Sequence, residues 1–282
     1  VTVLVVAGVL GVVVYRLFAT GQFEASKWEA FAYQGIWEQI LGGLLSTLSA
    51  FVVAAIGALV LGFVLAIARL SDHRWIRLPA TAVTELLRAV PVLVFMLLLY
   101  YALPEIGVRF TPFQAVTIAL IAYNGSVLAE VIRAGVESLP TGQKEAGYAV
   151  GLRKSGVMRL ILLPQAIRAM LPVIIAQLVV ALKDTALGFI ITYQELLYVA
   201  RQLGTAATYD RPIIPATIVI GAMYIALCLL LSYVAIVVER RLGKGPRSGG
   251  STRSKRAGAG GETTTTKLIA IQAGQQGGAA PH

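Results

Sequence analysis

The stretch EAGYAVGLRKSGVMRLILLPQAIR, residues 145–168, connects two long apolar blocks of the chain. It is charged, and Thr141 just before it is a candidate helix N-cap. The pattern predicts a short helix over 142–150, a break at Gly151, and a second short helix capped by Ser155. A compact helix–turn–helix segment between two apolar blocks is typical of a docking element at a membrane surface.

The chain as a whole has the composition of a membrane protein. Its 282 residues are 57% hydrophobic and 13% charged, with a mean hydropathy of +0.77, whereas soluble domains carry roughly 25% charged residues. A bilayer span needs ~20 apolar residues. The sequence therefore predicts an all-α, polytopic membrane protein with about six spans. These are Val1–Phe18, Ile40–Ala68, Ala89–Leu103, Phe113–Ile132, Ala166–Leu182 and Ile213–Val238.

The basic residues fall on one side of these spans. Of 24 Lys and Arg, four lie in residues 69–88, six in residues 133–168 and eight from Arg240 onward. By the positive-inside rule, these regions and both termini are expected in the cytoplasm. This distribution accounts for the net charge of +10 through membrane topology, so nucleic-acid binding is not expected.

The composition divides the chain into three segments. Residues 1–39 hold the first membrane helix and an outer interfacial segment, and residues 40–242 form the main transmembrane domain. The loop at about 136–164 connects spans four and five of this domain. Residues 243–282 are rich in Gly, Ser, Thr, Lys and Arg and poor in core-forming residues, which predicts a disordered cytoplasmic tail.

The loop carries a set of residues at fixed spacing, namely Glu145, Ala146, Gly147, Gly151, Ile161, Leu163 and Pro164. This order resembles the EAA loop of ABC importer permeases, E-A-A-x3-G-x9-I-x-L-P, with Gly147 in place of the third small residue, alanine. In that family the loop forms coupling helices that insert into a groove of the ATP-binding subunit. Further stretches are similar to the polar-amino-acid subfamily, at 46–71, 85–104, 122–147, 163–172 and 181–188.

The resemblance implies a type I ABC importer permease fold with cytoplasmic coupling helices, in a bacterial plasma membrane. It implies four kinds of partner: a dimer of ATP-binding subunits, a second permease, an external amino-acid-binding protein, and membrane lipid. The two permeases form a heterodimer or a homodimer, and a related but different chain is favoured as the partner. Glutamate is the first expected cargo, carried by alternating access. One alternative is another amino acid: glutamine, aspartate, arginine or histidine. Another is a channel or secondary transporter that uses no ATP, for which the 145–164 spacing would be a coincidence.

The sequence contains no catalytic or metal-binding pattern. It lacks the G-x-x-x-x-G-K-[ST] phosphate loop, so ATP and Mg²⁺ are expected on a partner chain. His73 and His282 lie in a loop and in the tail, and the single cysteine, Cys228, lies in an apolar block. The chain is therefore expected to be a transport subunit and not an enzyme.

Polar residues within the spans mark the candidate substrate pathway, because a charge at a span's centre costs roughly 2.5–3.5 kcal/mol. The candidates are Asn124, Glu130, Gln177, Lys183, Asp184 and Thr185. Asn124 is the favoured ligand, since it is central and flanked by small residues. Gln177 is equally well explained as a contact between helices.

The charged candidates have two interpretations. Glu130 is expected to pair with Arg133 near the cytoplasmic end of its span rather than to bind substrate. Lys183 and Asp184 form either an ion pair at a helix end or the lining of a cavity. In a cavity they would meet the carboxylate and ammonium of an amino acid.

Overall fold

The computed structural model describes residues 2–242, and every regular element in this range is helical. The α-helices, in chain order, are α1 (Thr2–Ala19), α2 (Gln34–Arg69), α3 (Arg74–Ala89), α4 (Val92–Leu97), α5 (Pro112–Glu137), α6 (Thr141–Ala149), α7 (Lys154–Gly156), α8 (Leu163–Asp184), α9 (Leu196–Thr205) and α10 (Ile213–Leu242). Turns of π-helix occupy Leu98–Ala102 and Val157–Leu162, and 3-10 turns occupy Ala25–Ala32, Leu103–Ile106, Thr185–Ile191 and Ala207–Tyr209. The all-α prediction is confirmed, and the predicted tail lies outside the described residues.

Five of the six predicted spans correspond to long apolar helices. Four helical stretches are long and apolar enough to cross a bilayer, and α3 with Val92–Ile106 is a fifth candidate if this bent pair is one span. The predicted first span is helical as α1. Its described apolar part, Val5–Ala19, is shorter than the ~20 residues that a span requires.

The start of the third span differs from the prediction. Residues 74–89 form a helix, α3, where the sequence analysis assigned no element. Val90 then adopts extended backbone angles, φ −85° and ψ 122°, because the ring of Pro91 disfavours the α conformation at the residue before it. The chain resumes as α4 at Val92, with an axis bent by 95° from α3.

The packing of α2 on α5 depends on small side chains. Ala50, Ala54 and Ala58 are buried on one face of α2, whereas Ile56 and Phe63 on other faces are 60% and 43% exposed. Small residues allow two backbones to approach closely, and this is how membrane helices associate without a hydrophobic driving force between them. The large apolar residues of α2 are left for lipid or for a neighbouring chain.

We expect Gly62→Ala to lower the free energy of unfolding by about 1–3 kcal/mol, the usual cost of overpacking a close contact. A Cβ at residue 62 would lie 2.8 Å from Leu128 Cβ and 2.9 Å from the Gly125 carbonyl oxygen, atoms that cannot move without the backbone. Gly57→Ala is the matched control, because its Cβ would meet only the Ile121 side chain, which has other rotamers. Thermal unfolding in detergent measures both. Equal losses of Tm would contradict the close contact at Gly62.

The helix that begins at Lys154 continues without interruption through α8. The Leu163 N–H donates to the Met158 carbonyl oxygen, five residues back, which forms a π-helical turn directly before Pro164. A proline inside an α-helix lacks an N–H and clashes with the carbonyl four residues earlier. The wider turn accommodates the proline, and the same arrangement precedes Pro104. The prediction of a separate second short helix is therefore wrong.

Candidate functional site

The first arm of the coupling loop is α6, which ends in a Schellman motif. The Gly151 N–H donates to the Tyr148 carbonyl at 2.9 Å, and the Leu152 N–H donates to the Gly147 carbonyl at 3.1 Å. Gly151 has φ +82°, in the left-handed region, which costs an L-residue with a Cβ roughly 1–2 kcal/mol. The predicted break at Gly151 is confirmed, and its backbone closes the end of α6.

Both predicted helix caps in this loop are wrong. Pro140 occupies the N-cap position of α6 with φ −54° and ψ 135°, and Thr141 is already helical. Proline's ring fixes φ near this value, and its missing N–H is no loss where a helix begins. Arg153 precedes α7, so Ser155 lies inside the helix that starts at Lys154.

Gly147, the departure from the family pattern, lies at the contact between the two arms. It is buried, and a Cβ there would approach Val157 Cγ2 to 2.8 Å and Ile161 Cδ1 to 2.9 Å. Both atoms are ends of side chains that can shift, so alanine fits after a small adjustment. A larger side chain would separate α6 from the second arm, which explains why the pattern needs a small residue here.

The outer surface of the loop is exposed and partly apolar. Glu145 and Ala146 are exposed, and the Val150 and Leu160 side chains are 75% and 70% exposed. The charged residues Lys144, Arg153 and Arg159 of the same segment are exposed as well. Exposed apolar side chains in a charged segment are compatible with the predicted docking role. We call residues 144–160 the coupling surface.

Two side-chain contacts attach the coupling surface to the spans. Lys154 forms an ion pair with Asp72, in the connection between α2 and α3. The Lys154 ammonium holds the pKa of the Asp72 carboxyl below its usual value, so this carboxylate is charged at neutral pH. The Gln165 Nε2, on α8, donates to the Gln143 Oε1, on α6, at 3.3 Å. These two contacts connect the loop to α8 and to the segment between α2 and α3, so a displacement of the loop would act on these helices.

Two of the predicted pathway residues contact each other. The Gln177 Nε2 donates to the Asn124 Oδ1 at 2.8 Å, and the Asn124 Nδ2 donates to the Leu120 carbonyl at 2.9 Å. Asn124 is only 1% exposed. The Gln177 bond joins α5 to α8, and a substrate would have to displace it to reach the Asn124 amide.

Glu130 belongs to an ion network at one end of the spans. The expected pair with Arg133 is present, and Arg69 on α2 adds a second contact, 2.8 Å from its Nη1 to the Glu130 carboxylate. Arg69 also approaches Glu85 on α3 at 3.4 Å, and Arg133 pairs with Glu137. The network connects α2, α3 and α5, so the Glu130 carboxylate is already neutralised by neighbouring cations.

The last three candidates lie together at the end of α8. Lys183 is exposed and lines a cavity of about 420 Å³ with Tyr224 and Cys228 of α10, a size within the range of small-molecule sites. Asp184 is half-buried, and the buried Thr185 hydroxyl donates to the Leu182 carbonyl. Among the residues whose side chains the structure describes, neither Lys183 nor Asp184 forms an ion pair. A lysine without an anion partner beside an open cavity is available to bind a carboxylate.

Glu195 is a buried residue that the sequence analysis missed. It is 0% exposed and caps α9, where its carboxylate accepts hydrogen bonds from the Leu197 and Tyr198 N–H groups at 2.7 Å. The Tyr224 hydroxyl donates a third bond at 2.6 Å. The sequence feature that could have predicted its role is an acidic residue directly before an apolar segment, which is typical of the start of a helix. Glu195 thus fixes α9 to α10 beside the cavity that Lys183 lines.

We expect Tyr224→Phe to lower the free energy of unfolding by about 1.5–3 kcal/mol, because it removes one of the three donors to a buried carboxylate. Tyr233→Phe on the same helix is the control, since Tyr233 is 67% exposed. Thermal unfolding of the two variants makes the comparison. Equal Tm values would show that the hydroxyl of Tyr224 adds nothing to the packing of α9 on α10.

Comparison with known proteins supports the class that the helices and the coupling loop define. Residues 58–244 match the family described as binding-protein-dependent transport system inner membrane component. The chain is 40% identical over 233 residues to the glutamate transport system permease protein GluD of Corynebacterium glutamicum, which covers 81% of this chain and 84% of that protein. It is 35% identical over 207 residues to the arginine transport system permease protein ArtQ of Bacillus subtilis, covering 72% and 92%. The chain therefore belongs to the family of inner membrane components of binding-protein-dependent transport systems.

Solved structures agree with this assignment. A crystal structure of an amino acid ABC transporter with histidines superimposes with a TM-score of 0.66 at 30% identity, over 72% of this chain and 94% of that one. The inward-facing methionine ABC transporter MetNI gives a TM-score of 0.62 at 17% identity, which supports the fold alone. The predicted ABC importer permease fold is confirmed.

Proposed function

We propose that this chain is the permease subunit of an ATP-driven importer for polar amino acids and that its substrate is glutamate. ATP and Mg²⁺ are bound by a separate dimer of ATP-binding subunits, which docks on the coupling surface. The observation that carries the proposal is the form of the coupling surface: the Gly151 backbone closes α6, and Val150 just after α6 and Leu160 on the second arm are both exposed. A channel or secondary transporter has no use for such a surface.

The mechanism follows from the connections of that surface. ATP binding would close the ATPase dimer and draw the two docked α6 helices together. Because α6 contacts the start of the continuous helix Lys154–Asp184, this movement tilts the helix that carries Gln177 and Lys183. The cavity then changes from facing the cytoplasm to facing the external binding protein, which delivers the amino acid. ATP hydrolysis reverses the change.

The topology and the partners complete the proposal. Basic residues cluster at the coupling loop and around α3, on the side where α6 lies, which supports a cytoplasmic location for that side and for both termini. A second, related permease would close the open side of the cavity beside Lys183. Membrane lipid surrounds the large apolar residues of α2.

The substrate class rests on charge. Lys183 carries a cation without an ion-pair partner among the described residues, while the carboxylate of Glu130 is neutralised by Arg69 and Arg133. Asp184 also has no described ion-pair partner, but it is half-buried and does not line the cavity, whereas the exposed Lys183 does. The group presented to the cavity is therefore a cation, which favours an acidic amino acid over arginine or histidine. The name of the relative GluD agrees with glutamate, whereas that of ArtQ supports arginine as the rival.

Reconstituted uptake tests the proposal. The chain, its partner permease, the ATPase and the binding protein are assembled in proteoliposomes and supplied with labelled glutamate, aspartate, glutamine, arginine and histidine. We expect ATP-dependent uptake of glutamate and none with a non-hydrolysable ATP analogue. ATP-driven uptake of arginine alone would overturn the substrate, and uptake that needs no ATP would overturn the importer.

A further inference from the structure

Helix α3 has three distinct faces, and one of them is unoccupied. Ala80 and Thr84 are buried where α3 packs on α2 and α5. Glu85 and Arg88 lie on a charged face and pair with each other, and Glu85 also meets Arg69. The third face is apolar.

The third face is large, apolar and exposed. Trp75, Leu78 and Leu86 recur at helical spacing and are 92%, 62% and 65% exposed, and Ile76 and Val83 at its margin are 49% and 45% exposed. The face that joins α2 to α5 has a different character, since it is built largely from alanine and glycine. Bulky Trp and Leu side chains are what an interfacial helix places in a lipid surface.

Basic residues border this face at the start of α3. Arg74 and Arg77 lie on the charged face of α3, where Arg74 is next to Leu78, and His73 directly precedes the helix. The first turn contains no acidic residue. Neither arginine forms an ion pair within the described part of the chain, and the nearby Asp72 is paired with Lys154. Basic residues at the start of a helix oppose its macrodipole, so helix stability gives no reason for their position, and the positive-inside rule explains only the side of the membrane on which they lie. An anion outside the chain would supply one.

The direction of α3 relative to the next helix indicates that this anion is a lipid headgroup. α3 is ~24 Å long and is bent by 95° from the segment Val92–Ile106. If that segment crosses the membrane, α3 runs along the membrane surface with its apolar face held at the level of the lipid headgroups. Trp favours this depth, and basic residues beside it attract acidic lipids.

We propose that α3 is an interfacial anchor that binds anionic phospholipid headgroups. Arg74 and Arg77 contact the phosphates, and Trp75, Leu78 and Leu86 enter the boundary between headgroups and acyl chains. Because α3 shares Glu85 with the network around Arg69 and Glu130, the lipid surface is linked to the packing of α2 on α5. This anchor is independent of the cargo and of the ATPase.

Fluorescence quenching of Trp75 tests the proposal. The full chain, with Trp28→Phe and Trp37→Phe, is reconstituted into equal mixtures of phosphatidylcholine and phosphatidylglycerol in which one lipid or the other is brominated. Brominated phosphatidylglycerol should quench Trp75 at least about twofold more than brominated phosphatidylcholine. The double variant Arg74→Gln, Arg77→Gln should lose this preference, and Arg109→Gln, an exposed arginine in the connection before α5, should keep it.

Each other outcome overturns part of the proposal. Equal quenching by the two lipids in the parent chain would show that α3 does not select anionic headgroups. Absence of quenching would show that a protein covers this face, as a second copy would. Should the double variant fail to fold, added KCl must abolish the preference of the parent chain, because salt screens exposed charges. A preference that KCl leaves unchanged would exclude the arginines as its cause.

Discussion

Gly151→Val should reduce ATP-driven uptake about tenfold or more, because valine strongly resists the left-handed conformation that ends α6. Gly151 has φ +82°, and no atom outside its immediate neighbours lies within 4 Å of the position of a Cβ. The substitution therefore acts through the backbone alone and not through a clash. The end of α6 must rearrange, which displaces Val150 and the rest of the coupling surface. Co-purification with the ATPase and uptake in proteoliposomes measure the effect.

Gly142→Val is the control for this variant. Gly142 lies in the same short helix, has open space around it and does not adopt a positive φ. It should retain both ATPase association and uptake. The coupling role of α6 is wrong if Gly151→Val binds the ATPase and transports as the parent chain does.

Lys183→Met should lower glutamate uptake about tenfold or more while leaving assembly intact, since a charge-assisted hydrogen bond contributes ~1.5–3 kcal/mol and 1.4 kcal/mol is a factor of ten. Lys183 has no ion-pair partner among the side chains that the structure describes, and it lines the cavity beside Tyr224. Methionine keeps the length and removes the charge. Uptake at varied glutamate concentration, with ATPase co-purification as the assembly check, gives the result.

The matched variants for this test are Lys183→Arg and Arg109→Met. The first keeps a cation in the cavity and should retain much of the uptake, and the second removes a cation from an exposed connection and should have no effect. For an importer of arginine, Lys183→Met would increase uptake instead of reducing it. Unchanged glutamate uptake in an assembled Lys183→Met transporter would remove this residue from the pathway.

The features that the sequence predicts well are local ones. Apolar blocks correspond to the long helices because a span is defined by a continuous run of residues. The break at Gly151 follows from the conformation of one residue. The two wrong N-cap predictions, Thr141 and Ser155, also have local causes. Pro140 has an extended backbone and occupies the N-cap position of α6 without a side-chain hydrogen bond. Arg153 occupies the N-cap position of the second arm, two residues before the serine that N-cap preferences favour.

The features that the sequence does not predict depend on contacts between distant residues. The bond from Gln177 to Asn124 joins positions 53 residues apart, and Glu195 meets Tyr224 across 29 residues. No spacing rule connects such pairs. The sequence did not predict α3 for another reason. Pro79 and the arginines around it interrupt the apolar pattern that is typical of an amphipathic helix, and few of the apolar residues of α3 are buried.

The uninterrupted helix from Lys154 to Asp184 has a mechanical consequence. At 1.5 Å per residue, it is a lever about 45 Å long. A rotation of about 5° at the end near α6 would carry Lys183 roughly 4 Å sideways over that length. The residues next to Gly147 of α6, Val157 and Ile161, lie in the π-helical turn before Pro164, close to the driven end. A small movement of α6 thus becomes a larger displacement at the far end of α8, amplified by length alone.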